Sequence, residues 1–417
     1  MPSWRRIGPG TAPSPKPLVG RPAQVESALM ELSALSAKVL DGARLNQEEA
    51  LFLFEHAELG LLAFLADEIR QRKHPEGIVS YIIDRNLNPT NVCVTDCGFC
   101  AFYAKPADTA KAYVLDREEI YRRVQETVDV GGVQILMQSG HHPRLGVEWF
   151  SELMQDLKSR WPKLHLHAMA PSEIEHLGRV SKMSSLDVLK RLQEAGMDSM
   201  PGGGAEVLVE RVRERIAPRK TTTDDWLRIM EEAHSIGMRT TATMMFGHVE
   251  TPAERIEHFE RIREVQDRTG GFTAFIDWTF QPGDNPLGKE LLAEGWHKAT
   301  HADYFRTTAL ARIYLDNIDN LQASFVTQGG DAAQLALRMG CNDFGSAMLE
   351  ENVVSAAGCF ELVEIQNIER HIREAGFVPR QRNQAYQIID SRGTSVSEEE
   401  RAASGASATG LHTLAAS

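Results

Sequence analysis

The spacing of hydrophobic and polar positions changes once along the chain, near Gly77. Between Val25 and Arg72 apolar residues recur every three or four positions, the period of a helix with one buried face, and Leu45-Asn46-Gln47-Glu48-Glu49 reads as a helix start. This predicts a small helical cap over residues 23–76. Beyond Gly77, the short β-rich runs IVSYIID, VQILMQ, LHLHAMA, MDSM, TTATMMFG, TAFIDWTF and LQASFV alternate with amphipathic stretches such as REEIYRRVQETVDVGG and ERIEHFERIREVQDRTGG. Strand and helix patterns in alternation describe βα units around a parallel sheet. Seven strand candidates, with an eighth near Asn342 to Phe344, favour an α/β fold of the TIM-like (β/α) barrel type, partial or complete, over residues 77–391 with C-terminal elements. Residues 1–22, rich in Pro and Gly, and 392–417, rich in Ser, Ala, Gly and Glu, lack apolar periodicity and are expected to be disordered.

A barrel of this kind places its reacting groups at the C-terminal ends of the strands. The distinctive polar and glycine-rich segments follow predicted strands: Cys93 to Cys100, Gln138 to His142, Ala170 to Glu173, Pro201 to Gly204, Gly247 to Glu250 and Gln281 to Gly283. That coincidence points to a catalytic barrel.

Charge and composition narrow the function classes. The net charge is −13, which argues against a binder of nucleic-acid phosphates. No apolar run approaches the ~20 residues of a membrane span, and the first residues lack the apolar core of a secretory signal. A soluble, cytoplasmic enzyme with a small-molecule substrate, and with neither nucleic acid nor membrane as partner, is the expectation. Five cysteines are too few for a disulfide scaffold, and Cys93, Cys97 and Cys100 crowd into NPTNVCVTDCGFCAFY. Structural zinc takes four protein ligands, and no second CxxC or matching His pair follows. A [4Fe–4S] cube held by three thiolates fits better, because it leaves one iron free to bind a substrate or cofactor. Cys341 and Cys359 stand alone and read as small buried hydrophobes.

The CxxxCxxC spacing with Phe99 before the last cysteine resembles the radical S-adenosylmethionine superfamily. The resemblance implies that Cys93, Cys97 and Cys100 hold the cluster. S-adenosylmethionine would chelate the open iron and be cleaved by one electron to a 5′-deoxyadenosyl radical. Over about Leu45 to Gly358 the chain looks most like the dehypoxanthinyl futalosine cyclase family of menaquinone biosynthesis. SYIIDRNLNPTNVCVTDCGFCAFY, ILMQSGHHP, LHLHAMAPSEI, GMDSMPGGGAEVLVERVRERIAPRK, TTATMMFGHVETPAERIEH, GGFTAFIDWTFQPGDNPL and NDFGSAMLEENVVSAAG carry the likeness. It implies hydrogen abstraction at ribose carbon 4′ of dehypoxanthinyl futalosine, carbon–carbon bond formation to the benzoate ring, and an external electron donor such as flavodoxin or ferredoxin. The alternatives are an aminofutalosine synthase or a deazaflavin (FO) synthase-like enzyme, and, outside enzymes, an iron–sulfur electron-transfer protein. Two positions depart from the family pattern: Ser139 stands where a Gly is expected and Asp277 where a Pro is expected.

Glu173 and Glu206 follow strands after which related enzymes place acidic cofactor contacts, and Phe99, Phe102, Tyr103, Gln138 and Ser172, beside the cysteines or at strand ends, are the further candidate cofactor contacts. For Glu173 and Glu206 the competing reading is a glutamate favoured by a helix N-terminus, and for Phe102 and Tyr103 it is core packing. His141, His167, Gly203, His248, Glu250 and Asp277 are candidate catalytic or substrate residues. His165 and His167 share one strand face, where hydrogen-bonded core is the alternative to a pocket role. Restoring the aromatic ring requires a base, with Glu250, Asp277 and Glu173 as candidates; Arg85, Arg215 and Lys220 are the cations considered for the substrate carboxylate.

Overall fold

The computed structural model describes residues 22–358 and 364–389; Cys359 and both predicted disordered ends, apart from Pro22, lie outside them. Nine parallel strands form the sheet: β1 (Ile78–Leu87), β2 (Gln134–Met137), β3 (His165–Ala168), β4 (Ser199–Met200), β5 (Arg239–Phe246), β6 (Phe272–Thr279), β7 (Asn320–Gln322), β8 (Asp343–Met348) and β9 (Val378–Gln381). The order is β2-β3-β4-β5-β6-β7-β8-β1-β9, and β2 also pairs with β1, so the first eight strands close into a barrel. All seven predicted strands and the eighth are present. LQASFV is strand only at its start, and Phe325–Gln328 turns into a short helix.

Sequence patterning did not reveal β9. It pairs with Ile78–Tyr81 at the start of β1, whereas β2 pairs with Asp84–Leu87 at its end. The stagger of a closed barrel leaves that half-edge of β1 free, and the C-terminal segment fills it. Past β9 the chain folds back, Ile389 N–H donating to Gln381 O at 3.0 Å, and brings Arg382, Gln384 and Tyr386 under the barrel lumen.

Helices start where capping residues satisfy free backbone N–H groups. Ser184, Thr222 and Thr251 each accept from the backbone N–H three residues on. Of the N-terminal helices α1 (Pro22–Leu40), α2 (Gln47–His56) and α3 (Leu59–Lys73), α2 and α3 pack against the barrel's outer helices Pro252–Thr269 and His301–Tyr314, and α1 packs on α2 and α3, not over the cavity. Arg306 fixes this docking by donating to the carbonyls of Phe54 and Ala57 at 2.7 and 2.8 Å. Among the described residues, no helix is long and apolar enough to cross a membrane.

Candidate active site

The barrel encloses a cavity of about 420 Å³ that runs from the cysteine loop down to the C-terminal segment. Strand alternation decides which side chains reach it. The inward positions are Ile82, Asp84 and Asn86 on β1, Gln134 and Leu136 on β2, Thr241, Thr243 and Met245 on β5, and Ile276 and Trp278 on β6.

The cysteine loop is held in shape by its own backbone and two neighbours. Thr90 Oγ1 donates to Tyr113 O at 2.6 Å, and Asn91 spans the same gap through Nδ2 to Lys111 O and Oδ1 from Tyr113 N–H, both at 2.9 Å. Cys93 N–H donates to Ala104 O, and Gly98 N–H to Ile216 O, each at 2.9 Å. Asp96 takes a left-handed φ of 56° and accepts from Tyr103 Oη and, at 2.6 Å, from Arg219. Gly140 lets the loop after β2 come against this segment, since a methyl group there would overlap the carbonyl of Val92.

Cys93, Cys97 and Cys100 all line the cavity. Burial pushes the Cys97 thiol up to about 12 and raises Cys100 as well, where backbone N–H groups of Tyr103 and Phe102 work in the opposite direction. Those donors aimed at sulfur suit a thiolate ligand. Among the described residues no three His, Cys, Asp or Glu side chains surround a single metal-ion position. Thiolates that each bind a different corner of a cube do not converge on one point, so this arrangement is compatible with a cluster.

Phe99, Phe102, Tyr103, Gln138, Ser172, Glu173, Gly203 and Glu206 also line the cavity, as do His141 and His167. Glu173 occupies the first turn of the helix Pro171–Ser181, where Oε2 accepts from Ala170 N–H at 2.8 Å while Oε1 accepts from Ser139 N–H at 2.7 Å. It therefore caps its helix and fixes the loop after β2, and burial raises its carboxyl to about 7. Glu206 pairs with Lys220 at 2.6 Å, and the Lys220 ammonium lies 5.2 Å from the Phe99 ring centre. Gly203 faces Gln138, whose amide nitrogen would sit 2.7 Å from a methyl group there. His141 is 2.6 Å from Thr95 Oγ1 and stacks on His176 at 4.8 Å, so it is tied into the wall.

Three expected site residues do not reach the cavity. Asp277 has the opposite parity from Ile276 and Trp278 on β6, so its carboxylate lies outside the lumen and accepts from Thr308 Oγ1 at 3.1 and 3.2 Å. His248 folds back beneath its turn and lies 2.9 Å through Nε2 from Met245 O. Glu250 accepts from Gly247 and His248 N–H at 2.6 and 2.9 Å and pairs with Arg255 at 2.7 Å, holding the same turn from behind. Of the cations considered, Arg85 is bound to Glu126 and Glu350 outside the barrel and Arg215 to Glu290 at the surface. Lys220 lines the cavity, and so does Arg382, which sequence reasoning missed. Asp84 and Gln134 were missed too, although their strand parity with Asn86 and Leu136 was available in the sequence.

Two buried atoms on the cavity wall, Ser139 Oγ and Gln134 Oε1, have no partner. A buried polar atom left unpaired costs free energy unless a bound group satisfies it, so the wall is shaped for a polar ligand.

Two family descriptions match the chain: the Radical SAM superfamily over residues 87–262 and the CofH/MqnC C-terminal region over residues 269–394. A barrel with three cysteines on the loop after its first strand is the architecture of that superfamily, and the chain belongs to it. Within it, the chain is 47% identical over 361 residues to cyclic dehypoxanthine futalosine synthase of Streptomyces coelicolor, covering 86% of this chain and 89% of that one. It is 44% identical over 360 residues to the protein of the same name from Halalkalibacterium halodurans, covering 86% and 95%. Among solved structures, the FeFe-hydrogenase maturase HydG from Carboxydothermus hydrogenoformans superposes with a TM-score of 0.68 at 16% identity over 87% of this chain and 82% of that one, a likeness of fold. Membership in the family implies a [4Fe–4S] cluster and S-adenosylmethionine.

Proposed function

We propose that this chain is a radical S-adenosylmethionine cyclase that converts dehypoxanthinyl futalosine to cyclic dehypoxanthinyl futalosine in menaquinone biosynthesis. The observation that carries the reading is the cavity that joins the three cysteines to a largely apolar barrel lumen carrying a few polar groups, in a chain 44–47% identical to relatives of that name.

Cys93, Cys97 and Cys100 are the cluster ligands in this reading. Gln138, Ser139, Ser172 and Glu206 face the space beside them and are suited to hold the polar groups of S-adenosylmethionine. Phe99, Phe102 and Tyr103 supply the apolar side. Glu173 acts through the loop it pins, setting the backbone of Ser139 rather than reaching for the ligand. When bound, the cluster and its cofactor supply a carbon radical able to remove hydrogen from the substrate's ribose carbon 4′, for which a ferredoxin or flavodoxin would deliver the electron.

Such chemistry needs a dry pocket with the reacting atoms held in contact. Ile82, Leu136, Met245, Ile276 and Trp278 make the lumen wall apolar, and Arg382 and Tyr386 stand at its floor. Arg382 is fixed there by a bidentate pair with Asp343, at 2.5 and 3.0 Å, and by the Tyr386 ring 4.0 Å beneath its guanidinium.

The test is anaerobic turnover of the cluster-loaded protein with S-adenosylmethionine, reductant and dehypoxanthinyl futalosine. The expected result is loss of two hydrogens from the substrate matched by 5′-deoxyadenosine. Deoxyadenosine with the substrate unchanged would return the assignment to the related enzymes, and neither product would favour an electron-transfer protein.

A further inference from the structure

The proposed reaction, on which this inference rests, ends with a ring that has gained a carbon–carbon bond and must lose one proton and one electron to become aromatic again. The proton is released inside the barrel. Glu250 and Asp277 lie outside the cavity, and both oxygens of Glu173 already accept backbone N–H groups. Two of the sequence candidates for the base, Glu250 and Asp277, are therefore excluded by position, and Glu173 is engaged in holding the loop after β2.

One group on the cavity wall combines a basic atom with a path away from the lumen. His167 on β3 lies 2.6 Å through Nδ1 from Ser199 Oγ, and the same hydroxyl lies 2.7 Å from His165 Nε2. His165 is two residues back on the same strand and half-buried, whereas His167 is buried and lines the cavity. A serine hydroxyl carries one proton, so with His167 Nδ1–H donating to Ser199 and Ser199 O–H donating to His165, His167 Nε2 is bare. Its neighbour is the amide nitrogen of Gln384 at 3.4 Å, which suits an acceptor at that position.

We propose that His167, Ser199 and His165 form a proton relay that takes the proton released by ring rearomatisation from the closed lumen to the opposite end of the barrel. The ring C–H bond breaks with its electron pair left in the ring, and the proton goes to His167 Nε2. The Nδ1 proton of His167 moves to Ser199 Oγ, the Ser199 proton moves to His165 Nε2, and His165 releases its Nδ1 proton to solvent. The one excess ring electron passes to a one-electron acceptor of the iron–sulfur or flavin protein class. One proton enters and one leaves; both imidazoles are then in the opposite tautomer, and the chain resets when the two rings rotate and the hydroxyl turns back.

The surroundings suit a conduit rather than a store. Burial lowers both imidazoles, His165 to about 4, so neither holds the proton tightly. A weak base suffices because regained aromaticity makes the ring C–H strongly acidic. The groups around the outer end are Asp198 and Lys158, paired at 2.5 Å, and Arg382 is the cation that faces His167. Asp84, the other inward carboxylate at this depth, has both oxygens engaged by Gln134 and Ser346.

The experiment compares wild type with Ser199→Ala, Ser199→Thr, His167→Gln and His165→Ala, each cluster-loaded and checked for cluster absorbance and melting temperature. Deoxyadenosine reports hydrogen abstraction, which precedes the relay, and cyclic product reports its completion. Base catalysis of this kind contributes about 10²–10⁴-fold. Ser199→Ala and His167→Gln are expected to keep deoxyadenosine formation within about threefold while cyclic product falls at least about tenfold, with a substrate-centred radical accumulating in electron paramagnetic resonance spectra. Ser199→Thr should restore the product, and added imidazole should restore His165→Ala. A product-to-deoxyadenosine ratio unchanged in folded Ser199→Ala overturns the relay. So does a parallel loss of both products in Ser199→Ala and His167→Gln, which would mark a binding role, or a ratio that falls in Asp84→Asn and not in Ser199→Ala. Wild type that makes deoxyadenosine without cyclic product overturns the cyclase reading instead.

Discussion

Trp278 and Asp277 are adjacent in β6 and face opposite sides of the barrel wall, the indole lining the cavity and the carboxylate meeting Thr308 behind it. A departure from the family pattern that looked close to the substrate therefore lies on the far side of the wall, where its effect is on stability and its pH dependence.

Burial raises the Asp277 carboxyl to about 7, against roughly 3.9 for an unperturbed aspartate. Below both values the group is protonated in the folded and the unfolded chain and costs nothing. As pH rises through this window the unfolded chain ionises first, so the folded state loses stability until about pH 7. Asp277→Asn is expected to raise the melting temperature relative to wild type at pH 8, by about 1–3 °C, with the gain shrinking toward pH 4.5. Cyclic product should stay within about threefold of wild type, since the residue is remote from the cavity. A gain that grew toward acid pH would contradict the burial argument.

Cys97→Ala separates the loop's shape from its ligands. Thr90, Asn91 and Gly98 hold the segment through bonds that do not involve sulfur. The variant should fold, with far-ultraviolet circular dichroism unchanged, while the iron content falls and deoxyadenosine drops below detection.

Gly140→Ala keeps the three thiols and should disturb the loop's shape. Its added methyl group meets the Val92 carbonyl, which is backbone and cannot rotate away. The expected cost is about 1–3 kcal/mol, the range for overpacking, read as a lower urea midpoint together with weaker cluster retention.

Lys220→Met leaves Glu206 buried without its partner; their side chains are only 14% and 8% exposed. Breaking such a pair from one side costs about 3–5 kcal/mol, whereas replacing both partners is often near neutral. The double variant Lys220→Met with Glu206→Gln should therefore recover most of the stability lost in the single one, a comparison that urea denaturation reads directly. Neither should turn over normally, because both residues line the cavity.

The barrel was legible because each strand is a short β-rich run bounded by helical periodicity, and the cysteine loop because its spacing is tied to one kind of cluster. Strand parity, which put His165 and His167 on one face, was legible on other strands too: counting from Trp278 separates it from Asp277, and counting from Asn86 brings in Asp84. His248 and Glu250 were misplaced for another reason. They follow a strand in sequence, but the turn after Phe246 reverses and is held by its own backbone donors, which no alternation rule reports. β9 and Arg382 could not be anticipated from local pattern, because VPRQ has no strand signature and its place depends on a half-edge created by the stagger of β1 and β2.

That last strand also separates in the chain what the cavity brings together. A chain growing from its N-terminus makes the cysteine loop early and Arg382, Gln384 and Tyr386 near its end. Until those residues emerge from the ribosome, the lumen stands open at the floor and Asp343 lacks its guanidinium partner. A chain cut before Arg382 would keep all three cysteines and yet lack the residues that close the lumen below them.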